Sequence, residues 1–318
     1  MSRWAERWLV DFNAKKTKEM IISYKTDRNQ HQHLMFNGEI VSRVDNHSHL
    51  GILLSHDLKW TAHINELVTK TSKRLNLMRG LMYKIDRRSL ETIYMSFIRP
   101  CLEYGDALFT NANDNDLAKL DSVQTEAMRI SVGATARCNI DLLCKECQWP
   151  RLTDRRTHHC LVMMYKIVNG HAPLYLQELL PRTVGDNTNY QLRNTQEIRA
   201  PFARLEIFRK SFLLSMIAAW NQLDATTKNS PTIPSFKRAT KPEQEPKKEI
   251  LYYGHRWASI HHSRIRIGCS MLSHHLCDNL HVIPSPRCQC GWNCEDPYHF
   301  CFDCPLFAEQ RVKLCHEI

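Results

Sequence analysis

From Trp60 onward, the apolar residues of the chain recur at the three- and four-residue spacing of an α-helix. The repeating positions of the first helix are Ile64, Leu67, Val68, Leu75, Met78, Leu81, Met82 and Ile85. Thr61 is a candidate N-cap for this helix. A second helix is expected over 87–99, ending at Pro100, and two more over 114–132 and 154–169. Residues 61–180 are therefore predicted to form a helical bundle.

The first 60 residues follow a different pattern. Residues 1–12 predict a short amphipathic helix, and residues 19–25 are β-prone. Asn37-Gly38 lies between two apolar runs and predicts a β-hairpin. The apolar run 49–54 predicts one more strand. Residues 1–60 are therefore expected to form a small α/β unit.

Beyond the bundle, the pattern alternates between polar and apolar stretches. Residues 181–224 predict a polar loop followed by a connecting helix. Residues 225–249 hold four prolines among lysines and glutamates, a composition typical of a linker. Residues 250–318 predict a helical stretch that leads into a cysteine- and histidine-rich region. The expected fold is mainly α, with a small N-terminal α/β piece and a small C-terminal metal-binding region.

Composition adds a charge argument. The 318-residue chain carries a formal net charge of +10 and has a sequence pI of about 9.0. Seven basic residues lie close together, at Lys70, Lys73, Arg74, Arg79, Lys84, Arg87 and Arg88. This balance fits a solvated basic surface, or attraction to a polyanion such as nucleic acid.

Other features bound the class of protein. The sequence has no uninterrupted apolar stretch of about 18 residues, so no transmembrane helix is predicted. The N-terminus lacks the apolar region of a secretory signal. Thirteen cysteines, an odd number, favour an intracellular, reducing setting with metal binding over a disulfide scaffold.

The strongest chemical signal is the C-terminal pattern C-x-C-x8-H-x4-C, formed by Cys288, Cys290, His299 and Cys304. Three thiolates and one imidazole suit a tetrahedral zinc ion. Because protein atoms fill all four positions, such a zinc would be structural and not catalytic. Cys294 and Cys301 compete for a ligand position, and a group of free thiols is the alternative.

Other candidate sites have simpler explanations. Cys144 and Cys147 with His158, His159 and Cys160 have zinc-like spacing, but they border apolar residues, so buried thiols are favoured. The His261-His262 and His274-His275 pairs are interpreted as surface or core histidines, and Asp114-Asn115-Asp116 as a helix cap. No nucleophile elbow, P-loop or H-E-x-x-H motif is present.

A series of short motifs runs in order along the chain: Phe12-Asn13, Lys16-Thr17-Lys18, Asn37-Gly38, Leu50-Gly51-Ile52, Trp60, His63-Ile64, Arg99-Pro100, Glu103-Tyr104-Gly105, Trp149, Arg155-Arg156, Gly254-His255-Arg256, Arg264, Arg266 and the zinc pattern. In this collinear order the chain resembles the reverse transcriptases of non-LTR (LINE-type, Jockey/CR1-like) retrotransposons, in the part after their catalytic aspartates. His49 stands where the family usually has an aromatic residue.

The resemblance implies a palm edge and primer grip over 1–60, a thumb-like domain over 61–180 and a zinc knuckle within 250–318. It implies RNA or an RNA–DNA duplex as partner. Lys70, Lys73, Arg74 and Arg79 would contact phosphates, Leu50-Gly51 would approach the primer backbone, and Lys16 belongs to the nucleic-acid-binding set. No small-molecule substrate is expected in this chain.

The resemblance also implies what the chain lacks. The family's paired aspartates bind two Mg²⁺ ions, and no Asp-Asp dipeptide occurs here. We therefore expect no polymerase activity from this chain alone, and Mg²⁺ only if the missing part of the palm is supplied. Two alternatives stay open: a longer, active reverse transcriptase that includes this segment, or a non-functional relic.

Overall fold

Helices form most of the folded structure. The structure, a computed structural model of the 318-residue chain, describes residues 2–10, 13, 15–23, 31–36, 38–185, 197–242 and 254–317. The helices are α1 Ser2–Trp8, α2 Thr61–Leu81, α3 Arg87–Ile93, α4 Arg99–Glu103, α5 Asp114–Val132, α6 Ile140–Cys147, α7 Leu152–Val168, α8 Leu174–Glu178, α9 Glu206–Arg209, α10 Phe212–Gln222, α11 Ala225–Lys228, α12 Ile233–Ala239, α13 Arg256–Arg266 and α14 Ala308–Glu317. Shorter π-helical turns lie at Tyr94–Ile98, His275–Asn279 and His299–Asp303, and a 3₁₀ turn at Pro305–Phe307. The mainly α prediction is confirmed, and none of the described helices is long and apolar enough to cross a membrane.

The strands are short and lie near the N-terminus. They are β1 Lys18–Glu19, β2 Met35–Phe36, β3 Glu39–Ile40, β4 Ser42–Arg43, β5 Asn46–His49 and β6 Ile52–Ser55. β1 pairs with β4 in parallel, whereas β2–β3 and β5–β6 are antiparallel. The hairpin predicted at Asn37-Gly38 is confirmed by the pairing of Met35 with Ile40. Asn37 itself, like Phe12 and residues 24–25 of the β-prone segment, lies outside the described residues.

The prediction of a single strand over 49–54 is wrong. β5 and β6 form a hairpin in which His49 pairs with Ile52, so Leu50 and Gly51 are the two turn residues. Both have positive φ, 49° for Leu50 and 80° for Gly51, as a type I′ turn requires. Leucine rarely adopts this conformation, so the apolar run gives no turn signal at Leu50.

Two helix boundaries also differ from expectation. The N-cap of α2 is Trp60, so Thr61 is the first helical residue, and its hydroxyl donates instead to Asp116 Oδ2 at 2.6 Å. The second helix continues past Pro100 into α4. A π-helical turn makes this possible, because the Arg99 N–H donates to the Tyr94 carbonyl five residues back and widens the helix before the proline.

The first core lies between α2, α3, α5 and α6. It contains the fully buried side chains of Ile64, Met78, Leu90 and Leu120. Tyr94 and Trp149, also buried, stack within it with ring centroids 4.1 Å apart and planes 8° apart. The helical periodicity read from the sequence therefore places these residues on the faces that pack together.

A second core joins α7 to α10 and α12. Phe236 is fully buried there, 4.4 Å from the Tyr165 ring and 5.9 Å from the Trp220 ring. Phe236 belongs to the segment predicted as a linker, but Ala225–Lys228 and Ile233–Ala239 are helices, and Phe236 and Ile233 pack in this core. The four prolines of this segment favoured a linker over a helix in the prediction. Pro234 is nevertheless compatible with α12, because it lies in the first turn, where a missing N–H costs little. Residues 243–249 lie outside the described residues.

The C-terminal segment is attached to the bundle through α13. Arg256, which is 6% exposed, donates to the carbonyl oxygens of Met82 at 2.8 Å, Ser131 at 2.7 Å and Ile130 at 2.9 Å. Arg264 donates to the carbonyl oxygen of Gly133 at 2.6 Å. These cations satisfy carbonyl groups left free at the C-termini of α2 and α5. The helix that leads toward the metal-ligand region is thus fixed to the ends of α2 and α5.

Candidate metal centre and nucleic-acid surface

A tight turn presents the first two cysteines of the C-terminal cluster. The Gly291 N–H donates to the Cys288 carbonyl at 3.0 Å, and the Cys288 N–H donates to the Trp292 carbonyl at 3.0 Å. Gly291 has a φ of 93°, a conformation that glycine adopts without strain. The chain therefore doubles back at once, which brings the sulfurs of Cys288 and Cys290 to the same side.

The other two residues come from a π-helical turn. The Asp296 carboxylate accepts a 2.7 Å bond from the His299 N–H and fixes the start of this turn. At its end, the Cys304 N–H donates to the His299 carbonyl at 2.8 Å. The Trp292 ring lies nearly parallel to the His299 imidazole, with centroids 5.6 Å apart. Together these contacts set the direction of the imidazole.

The four side chains converge on one point. The ligand atoms of Cys288, Cys290, His299 and Cys304 all lie within 4.8 Å of one another. The sulfurs of Cys288 and Cys304 are 3.7 Å apart, and Cys290 Sγ is 3.3 Å from His299 Nε2. Zn–S bonds of about 2.3 Å place two sulfurs of a tetrahedral site about 3.8 Å apart. The donor set could hold a metal ion, and its spacing is compatible with zinc.

The two cysteines of the turn differ in acidity. The N–H of Trp292 hydrogen-bonds the Cys290 sulfur and lowers the pKa of this thiol to about 7. Burial raises the pKa of Cys288 to about 12. Because the thiolate is the metal-binding form, Cys290 is better prepared than Cys288 to bind an ion near neutral pH.

The other cysteines and histidines considered as metal ligands lie apart from this group. Among the described residues, Cys294 and Cys301 lie outside the converging group. Cys147 belongs to the first core and Cys160 to the second, which agrees with the interpretation of both as buried thiols. His158 instead contacts the Thr240 carbonyl, with 2.9 Å between Nδ1 and the oxygen.

Glu295 links the ligand loop to the preceding segment, a role that the sequence did not reveal. Its carboxylate accepts from the Ser273 N–H at 2.9 Å, and its own N–H donates to the Pro286 carbonyl at 2.7 Å. The available signal was its position beside Asp296, between the second and third ligands. The ligand loop is therefore braced at Glu295 and Asp296 in addition to any metal.

The predicted phosphate contacts on α2 fall into two groups. Lys70 and Lys73 are exposed, and their ammonium groups make no hydrogen bond or ion pair with the residues that the structure describes. Arg74 donates to the Phe97 carbonyl and lies 4.1 Å above the Phe97 ring. Arg79 pairs with Glu126 at 2.8 Å. The two lysines are thus free to meet a ligand, and the two arginines already have protein partners.

The β5–β6 turn is a second exposed feature. Leu50 is 78% exposed, and its carbonyl accepts a 2.7 Å bond from the Tyr104 hydroxyl. The Tyr104 ring also lies beneath Gly51, where a Cβ would stand 3.3 Å from Cε1. The turn is therefore held from below while its outer surface faces solvent. Lys16 is exposed as well.

Sequence comparison finds relatives over about half of the chain. The RNA-directed DNA polymerase from mobile element jockey of Drosophila melanogaster is 26% identical over 156 residues, which cover 48% of this chain and 17% of that protein. The probable RNA-directed DNA polymerase from transposon X-element of the same species is 22% identical over 182 residues, or 56% of this chain and 18% of that protein. The jockey polymerase of Drosophila funebris is 25% identical over 134 residues, covering 41% of this chain and 14% of that protein.

The match thus spans less than a fifth of the length of each of these relatives. No protein-family model and no solved structure matches the chain. The relatives are all polymerases of mobile elements, which agrees with the resemblance found in the ordered motifs. The chain is related to the reverse transcriptases of non-LTR retrotransposons.

Proposed function

We propose that this chain binds RNA or an RNA–DNA duplex, as the palm-edge, thumb and C-terminal zinc region of a retrotransposon reverse transcriptase. Residues 1–60 would grip the primer, 61–180 would form the thumb, and the Cys288–Cys304 region would form a zinc knuckle. The observation that carries the proposal is the firmly held, exposed turn at Leu50-Gly51, next to a helix whose Lys70 and Lys73 have no partner among the described residues. A glycine such as Gly51 allows a nucleic-acid backbone to approach closely.

Helix α2 and the β5–β6 turn are connected through the π-helical turn Tyr94–Ile98 and α4. Arg74 of α2 contacts Phe97 and Cys101, and the same helical segment ends beside Tyr104 under the turn. Lys70 lies one helical turn before Arg74, so the two residues share a face of α2. This arrangement supports one basic surface that runs from α2 toward the turn.

Lys70 and Lys73 would supply most of the phosphate contacts from α2. A lysine ammonium that has no protein partner loses only hydration and counterions when it meets a phosphate. Arg74 and Arg79 would first have to release Phe97 and Glu126. We therefore assign the two arginines to the support of this surface, with a smaller direct contribution than the sequence suggested.

The C-terminal site would bind one structural zinc through Cys288, Cys290, His299 and Cys304. The ion would supply the cross-link that fixes this short segment, which has few apolar residues. The cation would offset the charge of the thiolates. No catalytic step is assigned to this site, because its four protein donors fill a tetrahedral coordination sphere.

Polymerisation would need residues that this sequence does not contain. The relatives are named RNA-directed DNA polymerases. That reaction needs carboxylates that hold Mg²⁺ at the primer end, and the chain has no Asp-Asp pair. We propose that this chain contributes binding only, and that Mg²⁺ would act only where the rest of a palm is supplied.

Salt titration of RNA binding tests the proposal. The full chain and a K70A/K73A variant are titrated against labelled RNA and an RNA–DNA duplex at several salt concentrations. The wild type should lose affinity steeply with salt, and the variant should show a slope reduced by about one for each lost phosphate contact. A K145A/K237A variant, with two exposed lysines outside α2, serves as the matched control. Absent or salt-independent binding by the wild type would overturn the proposal.

A further inference from the structure

Three aromatic rings form an exposed stack where α13 meets the end of α2. The Tyr83 and Trp257 rings have centroids 5.4 Å apart and planes 18° apart. The His261 ring continues the series, 6.1 Å from Trp257 with planes 24° apart. Tyr83 is 50% exposed and Trp257 is 53% exposed. Large aromatic side chains usually bury more of their surface than this unless they meet a partner.

The stack is held in place from beneath. Arg256, next to Trp257, donates to the carbonyl oxygen of Met82, next to Tyr83, at 2.8 Å. The same guanidinium donates to the carbonyl oxygens of Ile130 and Ser131. The two residues that precede the rings are therefore joined by a partly buried hydrogen bond. A ligand that stacks on these rings would find them already oriented, so little conformational entropy is lost on binding.

The charge around the stack is basic. Lys84 follows Tyr83 directly, and both Lys84 and Arg88 are exposed without an ion pair among the described residues. Asp86 is the nearby acid, and its carboxylate is already occupied in capping α3, accepting from the Ser89 N–H at 2.9 Å and the Ser89 hydroxyl at 2.7 Å. Flat apolar faces flanked by free cations match the chemistry of single-stranded nucleic acid, whose bases stack and whose phosphates are anionic.

We infer that Tyr83, Trp257 and His261 form a base-stacking platform for single-stranded RNA. Bases would stack on the outer faces of this series, and Lys84 and Arg88 would contact the phosphates. The inference rests on the proposed RNA binding and deepens it, because it locates a single-strand site apart from the surface of Lys70, Lys73 and the Leu50-Gly51 turn. All three side chains are exposed, so the platform is accessible to a ligand.

The test compares ring removal with ring retention in the full chain. Fluorescence anisotropy measures binding of a labelled 12-nucleotide oligouridylate and of a matched abasic ribose-phosphate oligomer. Trp257→Ala and Tyr83→Leu should each weaken oligouridylate binding by about 5- to 150-fold, the value of one base–aromatic stack. Trp257→Phe and Tyr83→Phe should retain most of the affinity. Tyr175→Ala, at a 63% exposed tyrosine on α8, is the matched control and should bind like the wild type.

Two further readouts separate stacking from other causes. Binding of the abasic oligomer should be the same in all variants, and the salt slope should not change, because the rings release no counterions. Tyr83→Leu keeps apolar contact at the site, which limits damage to the fold. A variant whose whole fold is impaired would lose affinity for both oligomers equally.

Equal oligouridylate affinity of wild type, Trp257→Ala and Tyr83→Leu would overturn the platform and leave the proposed RNA binding standing. A wild type that binds neither oligomer nor duplex would overturn the proposed function itself. Tighter binding of a DNA oligomer than of RNA would overturn the assignment to RNA.

Discussion

Arg87 and Glu146 form an ion pair inside the protein, with 2.6 Å between Nη1 and Oε1. Arg87 is 1% exposed and also donates to Glu91 at 2.9 Å. Glu146 accepts from Arg266 of α13 through both of its oxygens, at 2.7 and 3.0 Å. The pair therefore connects α3 and α6 of the bundle to the helix that leads to the metal site.

Removal of Glu146 should be strongly destabilising. Glu146→Ala leaves Arg87 buried with one fewer partner, and loss of one member of a buried pair costs about 3–5 kcal/mol. The free energy of unfolding from urea denaturation measures this. Glu126→Ala, which breaks the more exposed pair with Arg79, is the control and should cost less than about 1 kcal/mol. Equal losses for Glu146→Ala and Glu126→Ala would contradict the assignment.

Stability should fall in acid partly through the same carboxylate. Burial raises the pKa of Glu146, but hydrogen bonds and charge from Arg266 and Arg87 outweigh burial and hold its pKa below the ordinary value of 4.5. A depressed pKa stabilises the fold fully above the unfolded value, and this contribution is lost as pH falls through the folded value. Urea denaturation from pH 7 down to pH 3 should show a steeper acid loss in the wild type than in Glu146→Ala. Parallel curves would contradict this.

A close approach between α5 and α13 makes a second test of the docking. A Cβ at Gly133 would stand 2.6 Å from Ile260 Cγ2, whereas a Cβ at Gly268 would meet nothing within 4 Å. Both glycines have positive φ, 73° and 66°, so alanine at either site costs about 1–2 kcal/mol of backbone strain. Gly133→Ala should cost about 1–3 kcal/mol more through overpacking. Thermal or urea unfolding of the two variants isolates that difference, and equal losses would show that α13 does not pack against Gly133.

Local signals explain which parts of this fold were predictable. The periodicity of α2, the Asn37-Gly38 hairpin and the spacing of the cysteine cluster are properties of short stretches of sequence. The Leu50-Gly51 turn was missed because leucine carries no signal for a positive φ. Pro100 was predicted to end the second helix, because a π-helical turn that accommodates a proline has no local sequence signature.

Long-range contacts explain the rest. Arg256 meets carbonyl groups more than a hundred residues away in sequence, and nothing local to it distinguishes that role from phosphate binding. Phe236 is buried by rings of α7 and α10, so its proline-rich surroundings misled the linker prediction. Arg74 lies in the predicted basic cluster, but its position on α2 turns it toward Phe97. In each case the partner, and not the residue type, decided the outcome.

Metal content should distinguish the cysteines of the C-terminal region. Cys290→Ser removes a sulfur that lies 3.3 Å from His299 Nε2, so zinc measured by mass spectrometry should fall from about one per chain to near zero. Cys294→Ser and Cys301→Ser are matched controls from outside the converging group and should keep their zinc.

Loss of the ion should loosen the ligand loop before the bundle, because Arg256 and Ile267 fix the preceding segment independently of the metal. Trypsin cleavage after the exposed Arg287 should therefore accelerate in Cys290→Ser and in chelator-treated wild type, but not in the controls. Full zinc retention by Cys290→Ser, or zinc loss in Cys294→Ser, would show that the ligand set is different.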